Sequence, residues 1–378
     1  MKNHIKHVKM VVGGTMIKKK RQRMIIVTTL FFFISVFLLG TLIILKPDIL
    51  KQHINLGNKA IKKPNAPIRK KLTIIDEDSN SRPIAIMIDN NVGNNSHYGL
   101  QQAYLTYEII VEGGLTRLMT IYKDKNVSQI GPIRSSRHYF LDYCLENDAI
   151  YVHFGWSPYA KNDIKKLDIN NINGLYESSP FWRVNWLYAP HNVFTSTEKL
   201  YSYAKNKNYR IQTNDWQLLN YNVEEINLEK INSKDKNKIT SEDNSLVAII
   251  ANNIYIEYSY SQKRSFTYDA SEKVYHRYMN DNPHIDAESK KTLTYKNIII
   301  EVVNNRTLDY EGRQELNTTG SGEGYYITNG HALPIIWEKQ NRKSKTAYKY
   351  KNGDIIRFND GNTIIEIIPS IDNISIQQ

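Results

Sequence analysis

The chain has 378 residues, 41% hydrophobic and 23% charged. That balance suits two ordinary domains or one large one, and excludes collagen, wholesale disorder and a polytopic membrane protein. Its single cysteine, Cys144, excludes an internal disulfide and any cysteine-built zinc cluster. The formal charge of +12 is uneven: residues 1–71 carry sixteen Lys/Arg and one acid, a net +15, whereas 72–378 carry 34 Lys/Arg and 37 Asp/Glu, a net −3. The folded part is thus faintly acidic, and nucleic acid is not an expected partner despite the basic isoelectric point.

Residues 1–23 read as a basic tail. Residues 24–45 follow without a single charge; as a helix they would span roughly 33 Å, about one hydrocarbon core. The spacing predicts a single-pass transmembrane signal-anchor. Six Lys/Arg lie in the fifteen residues before it and three in the fifteen after, which places the N-terminus in the cytoplasm and the bulk outside, at the cell membrane. No Ala-x-Ala site and no cysteine follow the apolar run, so neither cleavage nor lipidation is expected there. Membrane lipid is the first expected partner. Residues 46–80, with three prolines, seven Lys and Arg69, read as a flexible basic linker reaching about 30–35 Å.

The outer part begins with Arg82-Pro-Ile-Ala-Ile-Met-Ile-Asp89, a buried strand ending in a carboxylate. A short helix is predicted over 99–104, a strand over 105–112, and a hairpin whose arms are 116–122 and 127–133. A helix over 136–147, a strand over 149–154, a helix opened by Ser157-Pro158 and another behind the capping box Thr195-Ser-Thr-Glu198 complete a mixed region over 81–240. The charged stretch 222–245 reads as a surface excursion. From 246 to 378, short apolar runs alternate with turn signals at Asn329-Gly330, Asn352-Gly353 and Asp360-Gly361. The expected architecture is an α+β (or α/β) extracytoplasmic domain followed by a mostly antiparallel β domain, behind one N-terminal transmembrane helix.

Walker A, GxGxxG and His-Glu-x-x-His are absent, and Gly320-Ser321-Gly322 lacks the spacing of a nucleophile elbow. The chemistry concentrates elsewhere. Ile130-Gly-Pro-Ile-Arg134-Ser135-Ser136-Arg137 leaves a strand and enters a helix, so a serine cap and two guanidinium groups meet at a helix N-terminus. Oriented donors and bidentate cations favour a phosphate or carboxylate. Arg117, on the facing hairpin arm, is expected to approach the same place. The same arginines could instead pair with Glu108, Glu112 or Asp89. Asp89 and Asn90 stand at a strand's C-terminal end, where α/β sheets place ligands. Glu112, His153 and His191 complete the candidate set, His191 in the turn Ala189-Pro-His-Asn192. The run Phe181-Trp-Arg-Val-Asn-Trp186-Leu-Tyr188 offers an aromatic platform for a sugar or lipid, or a buried one. No catalytic residue, resident metal or cofactor is assigned.

These segments together resemble the YerB-like family of bacterial envelope lipoproteins, built on a domain of unknown function with its own C-terminal domain. The resemblance rests on residues 82–90, Gly99-Leu-Gln-Gln-Ala, Tyr107 to Arg117, Ile130 to Arg137, Ala149 to Gly155 and Ala189 to Asn192. In the C-terminal half it rests on Pro283-His-Ile-Asp286, Gly320-Ser-Gly322 and Ile364 to Pro369. It covers about residues 82–370 and implies a bacterial, Gram-positive envelope location without implying a reaction. Many members of that family are anchored through a lipidated cysteine, which this chain replaces by its apolar run. The order of the strand-Asp, Thr-Arg and Ile-Arg motifs is also similar to that of LytR-CpsA-Psr phosphotransferases, although Arg134-Ser135 stands where those enzymes have Arg-Asp.

Three functions are consistent with these features. The first is a membrane-anchored envelope protein that binds an anionic ligand, a cell-wall polymer or lipid-linked precursor, through Arg117, Arg134 and Arg137. The second is a Mg²⁺-dependent phosphotransferase with Asp89 on the metal. The third is a protein–protein scaffold using the β domain.

Overall fold

The computed structural model describes residues 70–229 and 247–378, together with Thr29, Ile34 and Ser35. By its contacts the chain divides into two compact units, 1–69 and 70–378; the second carries the fold. Strands without polar faces need cover on both sides. Ile84–Asp89 (β1) and Thr116–Tyr122 (β3) are buried at every position, and Leu105–Ile110 (β2) at all but its last. Phe140–Glu146 (α1), Ile150–His153 (β4), Pro158–Lys166 (α2) and Asn171–Asn173 (β5) follow. Ser157 caps α2 by accepting from the Ala160 N–H at 3.1 Å, with Pro158 at the first helical position. After Phe181–Arg183 (β6), Val193–Thr195 (β7) and Thr197–Asn206 (α3), the chain becomes almost entirely β.

That later region contributes Asn253–Ser259 (β8), Gln262–Asp269 (β9), Val274–Met279 (β10), Asn297–Val302 (β11), Gly320–Thr328 (β12), His331–Lys339 (β13), Ala347–Tyr350 (β14), Thr363–Ile368 (β15) and Ile374–Gln377 (β16). The principal sheet has eleven strands. It runs β14-β13-β12-β11-β15-β2-β3-β1-β4-β5, with Ile249–Ile250 added beside β13. β15 lies at its centre, parallel to β11 on one side and to β2 on the other.

This topology overturns the expected fold class. An α/β domain followed by an antiparallel β domain is not what forms: the structure is mostly β, with three α-helices among the described residues, and both halves contribute to one mixed sheet. The physical reason is Thr-Ile-Ile-Glu-Ile-Ile at 363–368, buried at every position. A run apolar on both faces is a central strand, and its best-covered place is between β11 and β2. The predicted transmembrane helix falls on residues 24–45, which lie outside the described residues apart from Thr29, Ile34 and Ser35. Among the described residues no helix is long and apolar enough to cross a membrane, so a single N-terminal transmembrane helix is not supported. Residues 1–23, most of the linker and residues 230–245 of the predicted excursion at 222–245 also lie outside the described residues. The end of the linker that is described packs in, with Leu72 and Ile75 buried against the core.

One face of the sheet, with Ala85, Met87, Tyr107, Ile109 and Ile365, is covered by α1 and α2 through Phe140, Leu141, Cys144 and Ile164. The other face, with Ile84, Ile86, Ile88, Ile298 and Ile364, is covered by Leu200 and Ala204 of α3 and by a second sheet. That second sheet runs β10-β9-β8-β16, with Asn282–Pro283 and Thr294–Tyr295 beside β10, and presents Ile254, Ile256 and Phe266 inward. Each such side chain contributes about 1.5–3 kcal/mol on burial.

Several local expectations shift. Residues 127–133 form no hairpin arm; β3 is flanked by β1 and β2 instead, and the segment makes isolated bridges, Ile133 to Ile88, Gly131 to Tyr98 and Ile130 to Thr195. The helix predicted from Ser136 begins at Phe140, so neither Ser135 nor Ser136 caps it. α3 is capped by Ser196, one residue beyond the predicted cap, which accepts from Lys199 N–H. Asn329-Gly330 does turn β12 into β13, whereas Asp360-Gly361 leads into the parallel strand β15 rather than a hairpin.

Candidate functional site

β1, β4 and β5 are mutually parallel neighbours. Their C-terminal ends, at Asp89, His153 and Asn173, open on one side of the sheet, where open α/β sheets hold ligands. The strap Ile133–Arg137 crosses this edge. Arg134 N–H donates to Met87 O at 2.9 Å, Phe154 N–H to Arg134 O at 3.0 Å, and Ser136 N–H to Gly155 O at 2.9 Å. Gly155 has φ +86°, and a Cβ there would lie 3.1 Å from Ser135 Oγ, so the close approach of strap and loop favours glycine.

Asp89 is the hub. Its carboxylate is only 3% exposed, yet it serves two partners that reach solvent. His191 Nδ1 donates to Oδ2 at 2.6 Å and Arg134 Nε lies 3.2 Å from the same oxygen; these side chains are 31% and 25% exposed. Asn91 N–H donates to Oδ1 at 3.0 Å. A carboxylate accepts only, so His191 commits its Nδ1 proton to Asp89 and keeps Nε2 for another partner.

The remaining arginines turn inward. Arg137 grips Glu112 in a two-pronged pair, with Nη2 donating to Oε2 at 2.8 Å and Nε to Oε1, and its Nη1 donates to Ser136 O at 2.8 Å. Arg117 donates to Ser135 O at 2.8 Å and stands 3.9 Å from Glu112. Burial would raise the Glu112 carboxyl, but the Arg137 contact outweighs it and holds the group below the usual carboxylate range. Burial, reinforced by Arg137, pushes the Arg117 guanidinium down to about 10. The carboxylates beside the arginines, Asp89 and Glu112, are both ion-paired, and among the described residues no group of three or more His, Cys, Asp or Glu side chains is placed to hold a metal.

The other predicted residues fall nearby but face inward. Ser135 Oγ donates to Phe154 O at 3.0 Å, and Ser136 Oγ accepts from Tyr151 OH at 2.8 Å. Asn90 donates to Glu108 Oε1 at 2.8 Å and Thr116 Oγ1 at 2.7 Å. His153 is fully buried between Gly155 O and Asn171 Oδ1, and burial lowers its imidazole to about 4.

Two domain models of one family match this chain. The N-terminal domain of the protein of unknown function DUF3048 matches residues 72–210, and the DUF3048 C-terminal domain matches 254–365. The chain belongs to the DUF3048 family. A relative described as "Putative lipoprotein YerB" from Bacillus subtilis (strain 168) is 28% identical over 300 residues, covering 79% of this chain and 84% of that one. The crystal structure of the YerB protein from Bacillus subtilis superposes with a TM-score of 0.67 at 26% identity, over 79% of this chain and 94% of that chain.

Behind the site of this DUF3048 chain runs a buried polar chain that sequence reasoning missed. Glu108 accepts from Arg264 Nε at 2.7 Å, from Thr116 Oγ1 at 2.7 Å and from Arg277. Arg277 also donates to His284 Nδ1, His284 Nε2 meets His97 Nδ1 at 2.9 Å, and His97 Nε2 meets the Asp89 carbonyl at 2.7 Å. A guanidinium only donates and a carbonyl only accepts. The two ends therefore assign both tautomers: each imidazole is neutral and carries its proton on Nε2. Burial drives His97 down to about 4 and His284 further. Glu366 completes the cluster, accepting from Tyr258 OH at 2.7 Å; burial and the nearby Glu108 raise its carboxyl.

The sequence carried a signal for these groups. Gln262, Arg264 and Phe266 alternate onto one buried face, as do Tyr275, Arg277 and Met279. A cation on the apolar side of a strand requires a buried anion, and Glu366 sits inside the apolar run 363–368.

Proposed function

We propose that this chain is a bacterial cell-envelope protein, held at the membrane and folded outside it, that binds an anionic envelope ligand bearing phosphate or carboxylate. Arg134 and His191 make the contact. The lipoprotein description of its relative supports the envelope location. The observation that carries the binding reading is the charge count at the strand ends. Among the described residues three guanidinium groups, Arg117, Arg134 and Arg137, meet two carboxylates, Asp89 and Glu112, and the guanidinium that reaches solvent is that of Arg134, with His191 beside it on the same Asp89 oxygen. An anion arriving there gains a charge-assisted contact without breaking the Arg137–Glu112 pair. A cell-wall polymer or a lipid-linked precursor supplies such a group.

A Mg²⁺-dependent transferase has less support. It needs carboxylates free to ligate, and both nearby ones are engaged by cations. The test is calorimetric titration of the full chain with inorganic phosphate, pyrophosphate and citrate. Arg134→Ala is expected to weaken binding at least tenfold and Arg134→Lys to retain most of it, with circular dichroism showing both folded. Equal binding by wild type and Arg134→Ala removes the arginine from the site. No binding of any anion by the wild type ends the reading.

A further inference from the structure

The anion contact does not stand alone on the surface. One group of exposed rings borders the strap that carries Arg134, and a second accompanies the turn that carries His191. In the first, Tyr176 is 69% exposed and lies on Trp156 at a ring separation of 5.6 Å. Trp156 in turn sits 5.5 Å from His153 at the end of β4 and pairs with Ser136 of the strap. Leu175, also exposed, lies beside the contact of Gly155 with Ser135. In the second, Trp186 is 56% exposed and leans on Tyr98 and Phe194, each at 6.3 Å. Tyr188, 90% exposed, belongs to the turn that presents His191, since His191 N–H donates to Tyr188 O at 2.8 Å.

Leaving these rings in water forgoes the stabilisation their burial would give. Three of them are held in place all the same: Trp156 is backed by buried His153, Trp186 by buried Phe194, and Tyr176 by Trp156. A fixed flat ring with a polar edge, beside a cation, matches a ligand that is apolar on one face and hydroxylated at its rim, with an anion attached. A pyranose phosphate has that form. Its axial C–H face lies against an aromatic ring, its hydroxyls stay wet, and its phosphate meets a guanidinium. An acyl chain fits less well, because Leu175 is the one aliphatic side chain in this set and the rest are Tyr and Trp.

We infer that the DUF3048 site recognises a sugar phosphate: Arg134 and His191 take the phosphate, and the exposed rings of Tyr176 and Trp186 take the sugar. This rests on the anion reading above and adds the sugar to it. The experiment is calorimetric titration of the full chain with four probes: inorganic phosphate, glycerol 3-phosphate, glucose 1-phosphate and N-acetylglucosamine 1-phosphate, with glucose as the neutral control. At least one pyranose phosphate is expected to bind ten times or more tightly than inorganic phosphate and glycerol 3-phosphate, and glucose far more weakly. Trp186→Ala and Tyr176→Ala, both surface changes, are expected to reduce that advantage while leaving phosphate binding unchanged. If phosphate binds and neither pyranose phosphate exceeds it, the sugar inference falls and the anion site stands. If the aromatic variants keep the full advantage, these rings are not the sugar contact and the inference falls. If glucose equals its phosphate, or if no anion binds, the anion site falls and the inference with it.

Discussion

Replacing Glu108 by glutamine keeps the side-chain volume and removes the anion at the centre of a fully buried cluster. Glu108, Arg264, Arg277 and Glu366 have no solvent-exposed side-chain surface. In the wild type, burial would raise the Glu108 carboxyl, but Arg264 and Arg277 outweigh it and hold the group ionised, below the usual range. Oε1 accepts three donors, from Arg264, Asn90 and Thr116, and Oε2 accepts Arg277. An amide offers one acceptor and turns a donor toward groups that only donate. Removing one partner of a buried ion pair costs about 3–5 kcal/mol. The lower end applies here, because Glu366 stands 4.0 Å from Arg277 Nε and is kept neutral partly by Glu108; without Glu108 it can ionise and take over part of the charge. The expected loss is therefore about 3 kcal/mol, a fall in Tm of at least about 5 °C for a unit of this size. The assay is urea unfolding followed by tryptophan fluorescence, in which the midpoint moves while the slope m does not. Glu108→Gln/Glu366→Gln should lose more than the sum of the single changes, since no anion then remains. Arg306→Ala, which breaks an exposed pair with Glu315, serves as control and should leave the midpoint unmoved. A Glu108→Gln midpoint within about 1 kcal/mol of wild type would mean the cluster does not depend on this anion, and the reasoning would be refuted.

Two further outcomes follow from other places in the fold. His153 is held near 4 by burial against an ordinary value near 6.5, so the unfolded chain takes up a proton first as pH falls; stability is full above about 6.5 and drops by about 3 kcal/mol by pH 4. The difference in unfolding free energy between wild type and His153→Asn should therefore change by that amount across the window, and a pH-independent difference contradicts the assignment. At Gly324 on β12 an added Cβ would lie 1.8 Å from Ile300 O of the neighbouring strand β11; Gly324→Ala must push two central strands apart, a strain of about 3 kcal/mol, and an unchanged Tm would show that the sheet yields there.

Much of the first half was legible because its signals are local. Alternation and β-branching placed β1 to β4 within a residue or two, and Ser157-Pro158 opened α2 where proline and a serine cap require. The errors are non-local. Residues 127–133 carry the apolar content of a hairpin arm, but β3 already has partners on both edges, and no pattern within the segment records that. Likewise 363–368 falls among the turn-separated runs that predict an antiparallel domain; its isoleucines on both sides of Glu366 signal burial on both faces, while its partners β2 and β11 lie far away in sequence. The site shows the same division. Residue type and position single out the arginines, Asp89 and His191 as candidates, and Arg134 and His191 converge on the Asp89 carboxylate. Which of them reach solvent depends on Glu112, which takes Arg137, and on the start of α1, which falls four residues later than the serines suggested.

The buried cluster and the surface site are linked by the chain of hydrogen bonds between them. Glu108 stands on β2 of the principal sheet, and Arg264 and Arg277 stand on β9 and β10 of the second. Apolar contact alone would hold the sheets face to face but is non-directional and tolerates sliding. Pairs at 2.7 Å do not tolerate it, because a shift of one residue turns each guanidinium to the opposite face of its strand. Through His284 and His97 the same register reaches the Asp89 carbonyl, the last residue of β1, whose carboxylate orients Arg134 and His191. Both imidazoles are neutral, so the relay transmits position rather than charge. The second sheet therefore acts on this strand end without lining it: it fixes the height and tilt of the carboxylate on which Arg134 and His191 converge.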